Sequence, residues 1–288
     1  MKKKTKIWVG IGAFVLAGGG LTLPEPAVAV SAVEAGAPSN ASARGALLSS
    51  TADIVLAQAA GGEGGEGGEG GEAGINVAAT ETDPVEYNIA LQVIAAHYYA
   101  GLAAYEGKET EAGAQMFAHG LSEVFIPMEE VFGRRGVKGL REAMEAAVDA
   151  GAAKKPSAAV RKLVQDVLKA IGAAEKAAPK SGLSAQAVKI KVVADMLNRA
   201  ASQYDVSLGD KTLEPYLDGL GFAAAARKEA STLLPALRKS DKKKAATFKA
   251  ALDMAAKAYP GIKRPAKPPV PAGEFLAAAS AAQLAASN

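Results

Sequence analysis

The chain has 288 residues, is 49% hydrophobic, carries a net charge of +3, and contains two histidines and no cysteine. Without cysteine, disulfides, thiolate metal sites, iron–sulfur clusters, covalently attached haem and cysteine nucleophiles are all excluded. The two signs of charge are segregated, with 16 acidic against 5 basic residues over 60–149 and 10 acidic against 23 basic over 150–269, which implies either compensating halves or a basic face for an anionic partner.

The N-terminus places Lys2, Lys3, Lys4 and Lys6 before an apolar run over 7–23 that Pro24 and Pro26 end and Ala27-Val28-Ala29 follows. This order reads as a secretory signal peptide over 1–29 and predicts a periplasmic location. An uncleaved anchor is the weaker alternative, because the run is shorter than the roughly 20 residues of a spanning helix and is interrupted by Gly18, Gly19 and Gly20. Residues 30–82 are Ala, Ser, Gly and Glu, with four Gly-Gly-Glu triplets over 61–72. Such a stretch cannot bury enough surface to offset its ordering entropy, so it reads as a disordered spacer or a weak cation-attracting tether.

The folded part is expected to start at Asp83-Pro84-Val85-Glu86, a capping residue, a first-turn proline and an acidic third position. Tyr87, Leu91, Ile94, Tyr98, Leu102 and Tyr105 then recur at helical spacing up to Gly107. A second helix is expected over 109–132, kinked at Ile126-Pro127, with further helices over 138–150 and 157–177. Ser184 caps the next, over 185–204, in which Ala187, Ile190, Val193 and Leu197 keep helical spacing. Thr212 is expected to cap a helix reaching Leu237, broken near Gly219-Leu220-Gly221 and at Pro235, and Asp241 opens one that Pro260 closes. The basic proline-rich stretch 263–271 reads as an extended polyproline-II linker or a docking strand for a partner, and Phe275, Leu276 and Leu284 suggest a short terminal helix. The fold expected is all-α, an up-and-down bundle of about six to eight Ala-rich helices. It would comprise a first helical hairpin pair over 83–179, a second helical segment over 180–260 and a Pro/Lys-rich tail with a short helix over 261–288.

His97 and His119 flank one short turn, with Lys108 at their midpoint. In an antiparallel hairpin folded there, the two imidazoles stand at the same height on adjacent helices. Glu123 lies one turn beyond His119. Two neutral imidazoles with a carboxylate make a first shell for a divalent transition metal, iron or copper. Axial ligation of a non-covalent haem is a second use of the same pair. The ordinary alternative is a half-buried histidine with a backbone or tyrosine partner, and Tyr98 and Tyr99 stand close by. Glu129 and Glu130 either extend the site or cover a solvated face, and Arg141-Glu142-Ala143-Met144-Glu145 reads as an intrahelical salt-bridge set.

The segments Ala200-Ala201-Ser202-Gln203-Tyr204-Asp205-Val206 and Glu214-Pro215-Tyr216-Leu217-Asp218-Gly219-Leu220-Gly221-Phe222, joined through a loop at Gly209-Asp210, resemble a helix-loop-helix signature of the periplasmic domain of bacterial high-affinity iron permeases. The run Tyr99-Ala100-Gly101-Leu102-Ala103-Ala104-Tyr105 and the turn after it are similar to the first hairpin of that domain. The resemblance covers about residues 85–240. It implies an all-helical periplasmic module related to metal handling and adds Glu214 and Asp218 as ligands. Pro215 departs from the pattern, and the permease's membrane helices have no counterpart in this chain. No Ser-His-Asp order, phosphate-cradling glycine loop or H-E-x-x-H motif appears, so no enzyme is expected. The partners expected are another protein, a second copy of the chain or a peripheral membrane surface. Nucleic acid is not expected, since the basic half lacks aromatic residues interleaved for base stacking.

Overall fold

Helix α2 (Pro84–Glu106) runs through the middle of the molecule. It is apolar around nearly its whole circumference, and from Ala90 to Tyr98 every residue is buried, so it must be covered on all sides. The computed structural model describes residues 74–288, so the reading of a leader over 1–29 and that of the spacer up to residue 73 lie outside the described residues, whereas over 74–82 the expected spacer is corrected: the fold begins before Asp83, because Ile75 and Thr80 are buried and Asn76 caps a helical turn. Around α2 pack α1 (Val77–Thr80), α3 (Thr110–His119), a π-helical segment (Gly120–Phe125), α6 (Ser157–Ala174), α7 (Ala185–Gly209) and α8 (Glu214–Ser240). The π segment leads into α4 (Ile126–Arg134), α5 (Leu140–Ala152) pairs with α6 and α3, and α9 (Lys242–Ala258) and α10 (Ala272–Ser287) complete the layer over α7. The described residues are all-α, as expected. Their ten α-helices outnumber the six to eight expected because the π segment divides the expected 109–132 helix and α1 is a single extra turn.

Three caps form as their sequences predict: Asp83 accepts from the Val85 amide at 2.7 Å, Ser184 from Ala187 at 3.1 Å and Asp241 from Lys244 at 2.8 Å. Thr212 does not cap α8. Its amide and hydroxyl both bond to Asp210 Oδ1, at 2.6 and 2.8 Å, closing an Asx turn, and the helix starts two residues later with Pro215 in its first turn, where a missing amide costs nothing. Helix α8 then runs unbroken through Gly219-Leu220-Gly221 and through Pro235. The glycines allow close contact rather than a break: an ideal Cβ at Gly219 would lie 1.7 Å from Tyr259 Oη, and one at Gly221 would lie 2.3 Å from the Ala96 carbonyl oxygen. Pro235 sits on the exposed face, where water serves the carbonyl it leaves without a donor.

Because alanine buries little area, the helix seams are thin, and buried tyrosines span them. Tyr87 donates to the Ala174 carbonyl, Tyr98 to Phe117, Tyr105 to Lys155, Tyr204 to Val270, Tyr216 to Gly261 and Tyr259 to Ala200. Each hydroxyl thereby satisfies a carbonyl on another element, so the ring can be buried without stranding its polar atom. The stretch expected as a linker before α10 is docked by these bonds and by Arg264, which donates to the Ser207 and Asp210 carbonyls. Nor is α10 marginal: it has 16 residues and buries Phe275, Ala279 and Ala282, with Phe275 edge-on to Tyr204 and Tyr259. One continuous core reaches from Ile75 to Ala282, joining the two expected helical segments and the tail.

Candidate functional site

The α2–α3 hairpin turns where the two histidines predict it. Lys108 takes a left-handed conformation (φ 75°), and the Glu109 amide bonds to the Ala104 carbonyl at 2.9 Å. Above the turn the helices approach at Gly101 and Gly113, where a Cβ on either would stand under 3 Å from the opposite backbone. The packing holds to the next turn, where Gly120 lies against His97 Cβ. On the other side of α2, the Gly221–Ala96 contact brings α8 onto the same level. Three helices therefore converge at His97.

The π segment begins immediately after His119 and holds Glu123. Its widened turn is closed by the Ile126 amide bonding to the Leu121 carbonyl, five residues back. The physical cause is Pro127, which can neither donate to the Glu123 carbonyl nor tolerate its ordinary approach. The expected kink is thus absorbed as a π turn at the site rather than as a break.

All five residues singled out as ligands meet along this seam. Asp218 Oδ1 stands 3.8 Å from His97 Nε2, and His119 Nδ1 lies 3.6 Å from Glu123 Oε1 and 3.3 Å from Glu214 Oε1. Among the described residues, no group of three or more histidine, aspartate or glutamate side chains is gathered closely enough to hold a metal ion as placed. The cluster consists instead of two neighbouring subsets. His97 and Asp218 face a cavity of about 330 Å³, and His119 and Glu214 line a second of about 220 Å³.

Burial decides the protonation states. His97 is 6% exposed, and its desolvation pulls the imidazole down to about 4, against the opposing effect of its bond to the Val93 carbonyl. His97 Nδ1 lies 2.8 Å from that carbonyl oxygen, so the neutral ring donates there and carries its lone pair on Nε2. Asp218 is pushed up to about 7, by desolvation first and then by the charges of Glu214 and Glu123. At neutral pH the His97–Asp218 contact is therefore no ion pair: an uncharged imidazole faces a carboxyl group near its midpoint, at a separation too long for a hydrogen bond.

The ordinary account of His97, a backbone partner, holds for Nδ1 alone; Tyr98 spends its hydroxyl on the Phe117 and Met144 carbonyls. Glu129 does not extend the site, since it pairs with Arg141 at 2.9 Å, and Arg141 also reaches Glu145 at 3.3 Å within the R-E-x-x-E run. Glu130 pairs with Arg134 at 3.4 Å. Sequence reasoning missed the α7 wall of the larger cavity, formed by Asp195, Asn198, Arg199, Ser202 and Gln203. A local signal existed in the i, i+4 spacing of Asp195 and Arg199: Arg199 Nε donates to Asp195 at 2.6 Å, and the half-buried guanidinium lies over the Phe222 ring.

No family model, curated protein or solved structure matches this chain. The seam itself therefore carries the functional argument.

Proposed function

We propose that this is an exported, periplasmic, non-enzymatic protein that binds or relays a divalent transition metal, iron or copper, through His97, His119, Glu123, Glu214 and Asp218. The observation that carries the reading is the gathering of both histidines with three carboxylates from α2, the α3–π junction and α8. Two ligands about 2.1 Å from a tetrahedral ion stand about 3.4 Å apart, and the three nitrogen–oxygen separations of 3.8, 3.6 and 3.3 Å lie around that spacing. Within each subset, binding would rotate side chains that are already neighbours. The Val93 carbonyl on His97 Nδ1 is the outer-shell partner that fixes a ligand tautomer. A cation would also relieve the repulsion that raises Asp218. The resemblance to the iron-permease domain points the same way. Non-covalent haem is the less favoured use of the histidines, because the cavity beside His97 is polar as well as small.

The test is elemental analysis and a visible spectrum of the untagged protein purified from a periplasmic fraction, followed by titration with iron, copper and zinc. A stoichiometric metal without a Soret band is expected, with affinity falling at least tenfold in His97→Ala and in His119→Ala while helical circular dichroism is unchanged. Metal binding equal in the double variant and the parent would overturn the reading.

A second reading, an interaction module, rests on the α8–α9 corner. Arg238, Lys239, Lys242 and Lys243 are exposed there, and Lys242 and Lys243 occupy the positive end of the α9 dipole, where cations are unfavourable. An anionic protein or membrane headgroups would offset that repulsion. Among the described residues no helix is long and apolar enough to cross a membrane, so such contact would be peripheral. Salt-sensitive sedimentation with anionic vesicles, lost in Lys242→Glu/Lys243→Glu, is its test.

A further inference from the structure

A further cavity, of about 460 Å³, opens between α2, α7, α8 and the segment 175–183 that follows α6. Its size is that of a small-ligand site. Ala178, Pro179, Val188 and Val192 form an apolar wall, Leu183 stands beside it 44% exposed, a large hydrophobic side chain left uncovered, and the exposed Lys180 and Ser181 line the cavity as well. The polar groups of the interior come from α2, α7, α8 and the turn that follows α6. Gln92, 4% exposed, donates from Nε2 to Glu175 Oε1 at 2.9 Å. Beside them Lys189 Nζ lies 2.9 Å from Glu229 Oε2 and donates to Thr232 at 3.1 Å.

The charge balance of this polar end is incomplete. Lys189 is committed to Glu229, whereas Glu175 has an amide partner and no ion pair among the described residues. Lys180, the other cation of the lining, is exposed to solvent and makes no ion pair with either carboxylate among the described residues. Burial, followed by the charge of Glu229, raises Glu175 above the usual carboxylate range, and the nearby Lys189 only partly offsets them. Water can solvate such a group, but it does nothing for the exposed Leu183 or for the walls. A ligand with a single positive head and an apolar body satisfies both.

We propose that this cavity binds a small organic monocation, an amine whose ammonium pairs with Glu175 and whose apolar body lies along Val188, Val192 and Leu183. The site is separate from the histidine seam and independent of the metal reading. A neutral isostere loses the ion pair with Glu175, so selectivity for the amine is the signature of the site.

The experiment is isothermal titration of the full chain at pH 7 with benzylamine, benzyl alcohol and benzoate, repeated on Glu175→Gln and on Asp218→Asn. Benzylamine is expected to bind at least tenfold more tightly than benzyl alcohol, with benzoate not binding. Glu175→Gln, which keeps the shape and removes the charge, is expected to abolish the preference, and Asp218→Asn to retain it. Leu183→Ser, at the exposed rim where folding is not at stake, is expected to weaken both benzylamine and benzyl alcohol. Equal binding of benzylamine and benzyl alcohol, benzylamine affinity weaker than about 1 mM, or a preference that survives Glu175→Gln or disappears in Asp218→Asn would each overturn the proposal.

Discussion

The two cavities beside α2 both contain carboxylates pushed upward by burial and by one another, yet they are built for different chemistry. At the histidine seam, neutral nitrogen donors and several oxygens stand at ligand spacing within polar walls, so the unmet demand is for an ion that accepts many donors. In the cavity between α7 and α8, Glu175 makes no ion pair among the described residues and stands by an apolar wall, and the unmet demand is for a single charge attached to something oily. A raised carboxyl therefore marks a site without specifying its ligand. The specification comes from what else lines the space.

Closing the gap between α2 and α8 is the strongest way to break this comparison. Gly221→Ala drives a methyl group into the Ala96 carbonyl, which is backbone and cannot rotate aside. It is expected to destabilise the protein by about 1–3 kcal/mol, lowering Tm by about 2–4 °C per kcal/mol in calorimetry. Metal affinity should fall with it, since His97 and Asp218 lose their common level. Unchanged metal affinity in a folded Gly221→Ala protein would show that the three-helix convergence is not needed.

Charge substitutions sharpen the contrast at smaller cost. Asp218→Asn should reduce metal affinity by at least tenfold and leave amine selectivity alone, whereas Glu175→Gln should do the reverse; titrations of both ligands against both variants check this directly. Parallel losses in either variant would mean that the two cavities act as one.

The smallest effect is on the pH dependence of the metal-free protein. The folded-state pKa of His97 is depressed to about 4, so its contribution is present above the unfolded value near 6.5 and is lost as pH falls toward 4. That of Asp218 is raised to about 7, so its contribution is present below the unfolded value near 3.8 and is lost as pH rises through 7. The two slopes oppose one another between about pH 4 and 6.5 and nearly cancel. Urea unfolding of Asp218→Asn should therefore show stability rising with pH across that window by up to about 1.4 kcal/mol per unit relative to the parent. His97→Asn should show the opposite trend. Identical pH profiles for parent and variants would mean that neither group is desolvated.

Features of the fold set by neighbours in sequence could be read from sequence, and those set by distant contacts could not. Asp83, Ser184 and Asp241 are caps because each bonds within three residues of itself. The level match of His97 and His119 was equally legible, since a hairpin places residues equidistant from its turn side by side. Gly219 and Gly221 read as a break, because a glycine that accommodates Tyr259 or Ala96 has the same local signature as one that ends a helix. Thr212 read as a cap because its competing partner, Asp210, gives a turn of nearly the same composition. The α7 wall of the site stayed hidden because nothing near Asp195 or Gln203 announces which helix they will face.

The docking of α10 also has a kinetic consequence. Phe275 closes an aromatic group with Tyr204 and Tyr259, residues contributed by two other helices. Until residues 272–287 have been made, that part of the core lacks its last wall, and a nascent chain shorter than this cannot bury those rings together. Closure of this part of the core therefore follows, and cannot precede, the addition of α10.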